Sequence, residues 1–516
     1  MNKYEPVIGL EIHVQLKTAS KMFCTCDNAG ENQPPNTTIC PVCMGHPGVL
    51  PVINDQAIQW AVMAALALGC EINQKSHFDR KSYFYPDLPK GYQISQLAAP
   101  FGHDGHLLIQ LRDAKRRVRI ERVHLEEDTG KLMHEDDKSA SYVDYNRAGT
   151  PLVEIVSQPD LQTPYEAKVF LQDIRLIMRY LGISDADMEK GQLRCDANIS
   201  LRPNPEYFQA KADQAAIGLD PKKLYPKTEI KNLNSFRSVE RALDYEIKRQ
   251  TKLWDANKEP RIQSTRGWDD KNGVTTEQRQ KEEHHDYRYF PEPDLPPLQL
   301  TDEFVDDIKK QMVELPYQKY QRFIEQFELG DYDTNILVAD KKLANFFEEV
   351  IADLRAWLVA LEQFTGTEEE IWKKEKKKLV KEVANWIISR LMGLMNKQGH
   401  SISEVNITPE NFAELVKLVY ERRLNNQTAM VVLSKMYITG GDPSDIMEEE
   451  DLVQIADSKD IQKIVKEVLN SNPGIVEQYK SGKTTVLKFL IGQIMKATKG
   501  RADSQEVEKA LLAMLK

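Results

Sequence analysis

Phe290-Pro291-Glu292-Pro293-Asp294-Leu295-Pro296-Pro297 divides this chain of 516 residues. Each proline lacks an amide donor and pushes the residue before it toward extended backbone, so a helix can hardly cross the stretch. The two sides differ in period. On the N-terminal side, short alternating apolar runs are broken by Gly and Pro turns; on the C-terminal side the pattern becomes helical. Residues 4–16 read as a strand near the N-terminus, and 106–111 with 117–125 as a hairpin turning at Asp113-Ala114. Within that hairpin Val118 and Ile120 share one phase, whereas Val123 and Leu125 fall out of it, which predicts a bulge near Glu121-Arg122. Helices are predicted over 55–68, over 164–181 with Thr163 as cap, Pro164 in the first turn and Gly182 as stop, and over 237–253. Residues 192–201 and 228–233 read as further strands. The fold class is therefore α+β with much antiparallel sheet, lacking the strand-helix alternation of a doubly wound fold. It is followed by a helical region at 296–407 and an all-helical module at 408–516. The charged run 368–381 is expected to be a solvent face of i,i+4 pairs.

The length calls for two to four domains. No apolar run approaches the roughly 18 residues of a membrane span. The first residues carry no basic region followed by an apolar core, so no secretory signal is expected. Cytoplasmic residence is the expectation. A net charge of −10 disfavours nonspecific coating of nucleic acid but leaves room for a local basic patch.

Four of the six cysteines, Cys24, Cys26, Cys40 and Cys43, fall within twenty positions. In a reducing compartment clustered thiols point to a metal rather than to disulfides. Two short knuckles can set four sulfurs around a tetrahedral Zn²⁺, and an all-sulfur set leaves no open position, so the ion would be structural. An iron-sulfur cluster and plain buried thiols are the alternatives. Cys70 and Cys195 read as core thiols.

On an extended strand Glu11 and His13 point to the same side, an arrangement suited to a hard divalent ion. Glu126-Glu127-Asp128, Glu154, Asp196, Glu229 and Asp286 add carboxylates, and Lys81, Lys90, Arg194, Lys231 and Arg288 offer charge for phosphate contact. Read from residue types alone, such acids are more often simply solvated. Ser481-Gly482-Lys483-Thr484 imitates the end of a phosphate loop, but Glu477 stands where the loop needs its first glycine. Residues 471–516 hold eight Lys or Arg against four acids; Lys483, Lys488, Lys496, Lys499 and Arg501 are candidates for phosphate-backbone contact, with a solvated helical tail as the plainer reading.

Several long segments together carry a resemblance. They include Val7-Ile8-Gly9-Leu10-Glu11-Ile12-His13, Lys81-Ser82-Tyr83-Phe84-Tyr85-Pro86-Asp87, His124-Leu125-Glu126-Glu127-Asp128, Gly149-Thr150-Pro151-Leu152-Val153-Glu154, Leu193-Arg194-Cys195-Asp196-Ala197-Asn198 and Asp286-Tyr287-Arg288-Tyr289-Phe290-Pro291. With these the chain resembles, over essentially its whole length, the B subunits of the glutamyl/aspartyl-tRNA amidotransferase. The resemblance implies a cradle-like, kinase-type domain over 1–295 with a zinc-binding insertion at 24–43, a helical domain over 296–407 and a tRNA-binding tail over 408–516. It implies ATP and Mg²⁺, with Glu11, His13 and Glu127 at the ion and Glu154 and Asp196 as further candidates. Glu127 is preferred over Glu126 because it falls where the family ligand falls. Lys81, Lys90, Arg194, Lys231 and Arg288 remain candidates for nucleotide or acyl-phosphate contact. The implied reaction is phosphorylation of the side-chain carboxylate of Glu-tRNA(Gln) or Asp-tRNA(Asn), followed by amidation with ammonia from a partner amidase subunit; a small third subunit completes the assembly. Some family members lack the cysteines, which supports a structural role for the zinc. The alternative is a non-catalytic scaffold that presents misacylated tRNA to the amidase.

Overall fold

The computed structural model describes residues 2–134, 140–210, 223–280, 287–359, 366–450, 452, 458–498, 501–502 and 504–515. Two compact units divide the chain, Met1–Leu315 and Pro316–Lys516.

The first unit is built on a nine-stranded sheet. From one edge to the other its strands are Val274–Gln280, Ser264–Asp269, Thr228–Leu233, Leu193–Pro203, Tyr4–Gln15, Pro151–Ser157, Lys115–Glu127, Gly102–Gln110 and Glu71–Ile72. All neighbours are antiparallel except 228–233 and 264–269, so the sheet is mixed. Along the central strand Ile8, Leu10, Ile12 and Val14 are buried on one face, leaving Glu11 and His13 on the other, the period of two that a pleat imposes. The neighbours keep phase: Val153, Ile155, Cys195 and Ala197 join the same core.

Three helices, Asp55–Ala67, Pro164–Leu181 and Phe236–Asp255, contribute Ala61, Phe170, Ile174, Val239 and Leu243 to that core. Each begins where a side chain accepts a first-turn amide: Asn54 from Ala57, Thr163 from Glu166, Ser235 from Ser238. Gly182 closes the second helix in the left-handed region, at φ +74°, as the sequence predicts.

The hairpin of 102–110 and 115–127 carries the expected bulge. Pairing passes from Arg122–Val156 to Ile120–Ser157, so Glu121 is extra against that neighbour, whereas against 102–110 Asp104 and Glu121 are passed over together and the register holds. That one extra residue resets the phase, so Val118, Ile120, Val123 and Leu125 are all buried in the core while Arg122, His124 and Glu126 turn to the opposite face.

The proline stretch does more than interrupt helix. Phe290–Pro291 pairs with Asp79–Ser82, which pairs with Tyr92–Ser95, and Arg80 holds Glu292 through two hydrogen bonds of 2.6 and 2.8 Å. The unit continues to Leu315 because the helix Asp302–Gln311 lays Val305 and Ile308 into the same core.

The second unit is a succession of helices from Pro316–Phe327 to Ser504–Leu515. The charged helix Glu368–Asn385 starts with a capping box between Thr367 and Glu370 and buries Ile371, Leu379, Val380 and Val383. It is amphipathic rather than purely a solvent face, because its apolar residues recur on one stripe. Near the C-terminus Ile461, Val465, Leu490, Ile494, Val507 and Leu511 form a separate small core. Among the described residues no helix is long and apolar enough to cross a membrane.

Candidate active site and metal centre

Cross-strand register assembles a line of polar side chains on the face opposite the helices. His13 pairs with Arg194 on one side and Glu154 on the other, and Glu154 pairs with His124. Two residues along the central strand, Glu11 pairs with Asp196. The ring nitrogen Nε2 of His13 lies 3.4 Å from Glu154, 3.7 Å from Glu11 and 4.0 Å from Glu126. His124 Nε2 lies 3.2 Å from Glu154 and 3.8 Å from Glu126. One ligand atom from each of Glu11, His13 and Glu154 fits within a 4.8 Å span, as does one from each of His124, Glu126 and Glu154.

Burial and mutual charge set the protonation of this cluster. Burial first, then the nearby Glu154, raises the Glu11 carboxyl above its ordinary value. Burial opposes charge on both histidines, yet the carboxylates win: Glu154 lifts His13, and Glu154 with Glu126 lifts His124 to about 9. Burial likewise works against the charge on Glu154, but His124 and His13 hold its pKa well below the usual carboxylate range. The buried Nδ1 of His124 has no hydrogen-bond partner among the described residues. Carboxylate oxygens and imidazole nitrogens converging at this spacing can hold a divalent cation, the carboxylates being the harder donors.

Glu127 stands apart from this set. It is adjacent to Glu126 on one strand, so the two side chains leave on opposite faces. Glu127 pairs with Lys90 and accepts the amide of Ile94 at 2.9 Å. Glu126 instead accepts Ser95 Oγ at 2.9 Å and faces His13 and His124. The expected preference for Glu127 thus meets a structure that turns Glu126 into the cluster. Residue types alone do not single out His124, although the alternation that buries Val123 and Leu125 marks it.

Of the five expected cations, Lys81, Arg194 and Lys231 lie at the cluster and Lys90 and Arg288 do not join it. Lys81 is deeply set near Glu126 and Glu154 and lies 5.3 Å from the centre of the Tyr287 ring. Arg194 reaches Asp128 at 2.7 Å, and Lys231 binds Asp196 at 2.6 Å and Glu229 at 3.1 Å. Lys90 is occupied by Glu127. Arg288 is exposed, at φ +46°, on the approach to strand 290–291. Asp286 lies outside the described residues.

The four clustered cysteines also converge. Cys24 and Cys26 leave a turn closed by the Ser20–Asp27 bridge; Cys40 and Cys43 sit on a second turn in which the Cys40 amide donates to Cys43 Sγ at 3.1 Å. All four sulfurs lie within 4.8 Å of one another and none is in a disulfide. A hydrogen bond between Cys24 and Cys43 raises the first thiol far above its usual value and holds the second down to about 5. Four soft donors at this spacing make a structural, zinc-like metal site. Beside it a cavity of about 190 Å³ is lined by Phe23, Cys43, Lys90, Tyr92 and Glu127.

In the tail, Lys488 and Lys496 are exposed on the helix Leu487–Ala497 and Lys483 is exposed just before it. Arg501 donates to the Thr498 carbonyl at 3.2 Å, and Lys499 lies outside the described residues.

Two family models match this chain: a GatB/GatE catalytic domain over residues 6–306 and a GatB domain over residues 369–515. The aspartyl/glutamyl-tRNA(Asn/Gln) amidotransferase B subunit of Persephonella marina is 46% identical over 514 residues, covering 100% of both chains. The protein of the same name from Thermodesulfovibrio yellowstonii is also 46% identical over 514 residues, again across 100% of both. That from Thermotoga maritima is 44% identical over 517 residues, covering 99% of each. With both family models matched in order and relatives aligned end to end, the chain belongs to the family of aspartyl/glutamyl-tRNA(Asn/Gln) amidotransferase B subunits.

Proposed function

We propose that the polar face around Glu11, His13, Glu126 and Glu154 is where the side-chain carboxylate of a tRNA-bound Glu or Asp is phosphorylated by ATP. The chain acts as one component of an ATP-dependent, tRNA-dependent amidotransferase, working with a glutamine-hydrolysing partner. A free carboxylate is a poor acceptor for ammonia. A carboxylate oxygen of the substrate attacks the γ-phosphorus and ADP departs; ammonia then attacks the acyl carbon, the acyl C–O bond breaks to release phosphate, and the nitrogen gives up a proton to leave the amide. The nucleophile belongs to the substrate, so no enzyme Ser or Cys is needed.

Glu11, His13, Glu154 and, in place of Glu127, Glu126 would hold Mg²⁺, whose charge offsets that of the phosphate oxygens. Asp196 keeps Lys231 at the edge of the cluster, and Asp128 keeps Arg194 there. Fixed in this way, the two cations and Lys81 face incoming phosphate without having to be ordered at the moment of reaction. His124, 3.2 Å from the Glu154 oxygen that also faces His13, and Arg122, 3.6 Å from the other oxygen, fix that carboxylate from the neighbouring strand. The observation that carries this reading is the single register line Arg194–His13–Glu154–His124.

The remaining assignments follow the same plan. The first unit, up to Leu315 rather than 295, is the kinase-type cradle, the helices from Pro316 to about 407 a helical domain and 408–516 the tail, whose Lys483, Lys488, Lys496, Lys499 and Arg501 meet tRNA phosphates. Zn²⁺ fills the four-cysteine site, and the amidase and small third partner join the chain in the cytoplasm. Phosphate release from ATP by the chain assembled with both partners, without glutamine, tests the central step. Charged Glu-tRNA(Gln) or Asp-tRNA(Asn) should stimulate release strongly and uncharged tRNA little. Bound charged tRNA of both kinds without stimulation would sink the kinase role and leave the scaffold.

A further inference from the structure

Lys21 is wholly buried, and its Nζ has no hydrogen-bond partner among the described residues. An ammonium taken out of water without a partner is costly, and proteins normally pair it or place it beside a compensating charge. Its surroundings point to that charge. The Lys21 backbone amide donates to the carbonyl of Cys26 at 3.0 Å, which ties the residue to the first cysteine turn. A β-carbon built on Gly149 would stand 3.5 Å from Cβ of Cys43 and 3.5 Å from Cδ of Lys21, so the lysine stem and the second cysteine turn meet at one glycine. Gly149 has φ +87°, a conformation that side chains rarely adopt. Its carbonyl accepts the amide of Met22 at 2.7 Å, anchoring the lysine segment from the other side. Four thiolates around a divalent ion form a dianion, and such an ion is held by groups beyond its ligands that supply opposite charge.

We propose that Lys21 is the built-in counter-charge of a tetrathiolate metal at Cys24, Cys26, Cys40 and Cys43, and so a positioning and affinity-setting residue of that site. This rests on the metal reading of the four cysteines. With a metal bound, Lys21 faces the full dianion of four thiolates, a larger opposite charge than the bare cysteines offer. The lysine therefore favours the metal-loaded form over the empty one.

The test uses the full chain, wild type and Lys21→Met, with zinc affinity measured by chelator competition and the ligand set read from the absorption of the cobalt(II) form. The methionine variant should keep the cobalt-thiolate spectrum while zinc affinity falls by about 10- to 100-fold. With metal removed, the variant should melt no lower than the metal-free wild type; a residue that only fills space would lower both forms alike. A wild-type spectrum without thiolate bands would overturn the metal reading and this inference together. Intact thiolate bands with unchanged zinc affinity would overturn the role of Lys21 alone. Should Lys21→Met not fold, Lys21→Gln, neutral and of similar length, takes its place: zinc affinity should again fall with the cobalt-thiolate bands intact, and unchanged affinity would count against the proposal.

Discussion

The two faces of the central sheet are made from the same strands and behave as two different materials. On one, Leu10, Ile12, Ile155 and Leu125 are sealed under helices; on the other, Glu11, His13, Glu154 and His124 crowd their charges within a few ångströms. Nothing but the alternation along each strand, reset once at the Glu121 bulge, separates them. One set of strands serves both faces: the apolar residues fix the register, and the register places the acids and histidines opposite one another. A slip of one residue would ruin both faces at once.

Adjacent residues on one strand offer the sharpest way to break that comparison. Glu154→Gln should reduce charged-tRNA-stimulated ATP cleavage by roughly 10²–10³ and leave the protein folded, since it removes a preorganised charge from the reacting face. Ile155→Ala, one residue on and fully buried, should cost about 2–5 kcal/mol of stability while activity per folded molecule survives. Denaturant titration beside the phosphate-release assay reads both. A folded Ile155→Ala enzyme as inactive as Glu154→Gln would show that the division of labour between faces is not real.

The next contrast lies within one pair of carboxylates. Glu126→Gln is expected to lower ATP cleavage about tenfold or more, with a smaller loss for Glu127→Gln, whose side chain is engaged by Lys90. The reverse order in matched assays would return Glu127 to the ion. This pair also shows what is legible in a sequence. The broken phase between Ile120 and Val123 announces the bulge at Glu121, and carried further along the strand it puts His124 and Glu126 on the polar side. The family pattern draws attention to Glu127 instead, because that residue falls where the family ligand falls, and the motif Glu126-Glu127-Asp128 has no period of its own to correct it. Helix ends at Thr163 and Gly182 are legible because capping is local chemistry. The approach of Arg194 to Asp128, and the pairing of 290–291 with 79–82, are not, because both depend on strand order.

The tail sets a smaller effect against the sheet. Charge reversal of the exposed Lys488 and Lys496 should weaken tRNA binding several-fold and flatten its salt dependence by about 1–2 in log–log slope, leaving turnover at saturating tRNA unchanged. Binding isotherms at several salt concentrations give the slope. An unaltered slope would remove these lysines from the phosphate contacts.

The smallest effect tests the quiet face. Asp173 sits on helix 164–181, in the layer over the apolar side, and burial raises its carboxyl from 3.8 to about 7. Between those values the folded state holds a proton that the unfolded chain has already lost. Stability therefore falls as pH rises through the window, and the deficit is complete above it. Asp173→Asn removes the ionisation and should gain about 1 kcal/mol at pH 8, a figure kept small because the residue is only partly covered. Near pH 4, where both forms are neutral in the folded state, the gain should vanish. Urea midpoints at the two pH values settle it: an equal gain at both would mean that the carboxylate is not desolvated and that this side of the sheet is wetter than its packing suggests.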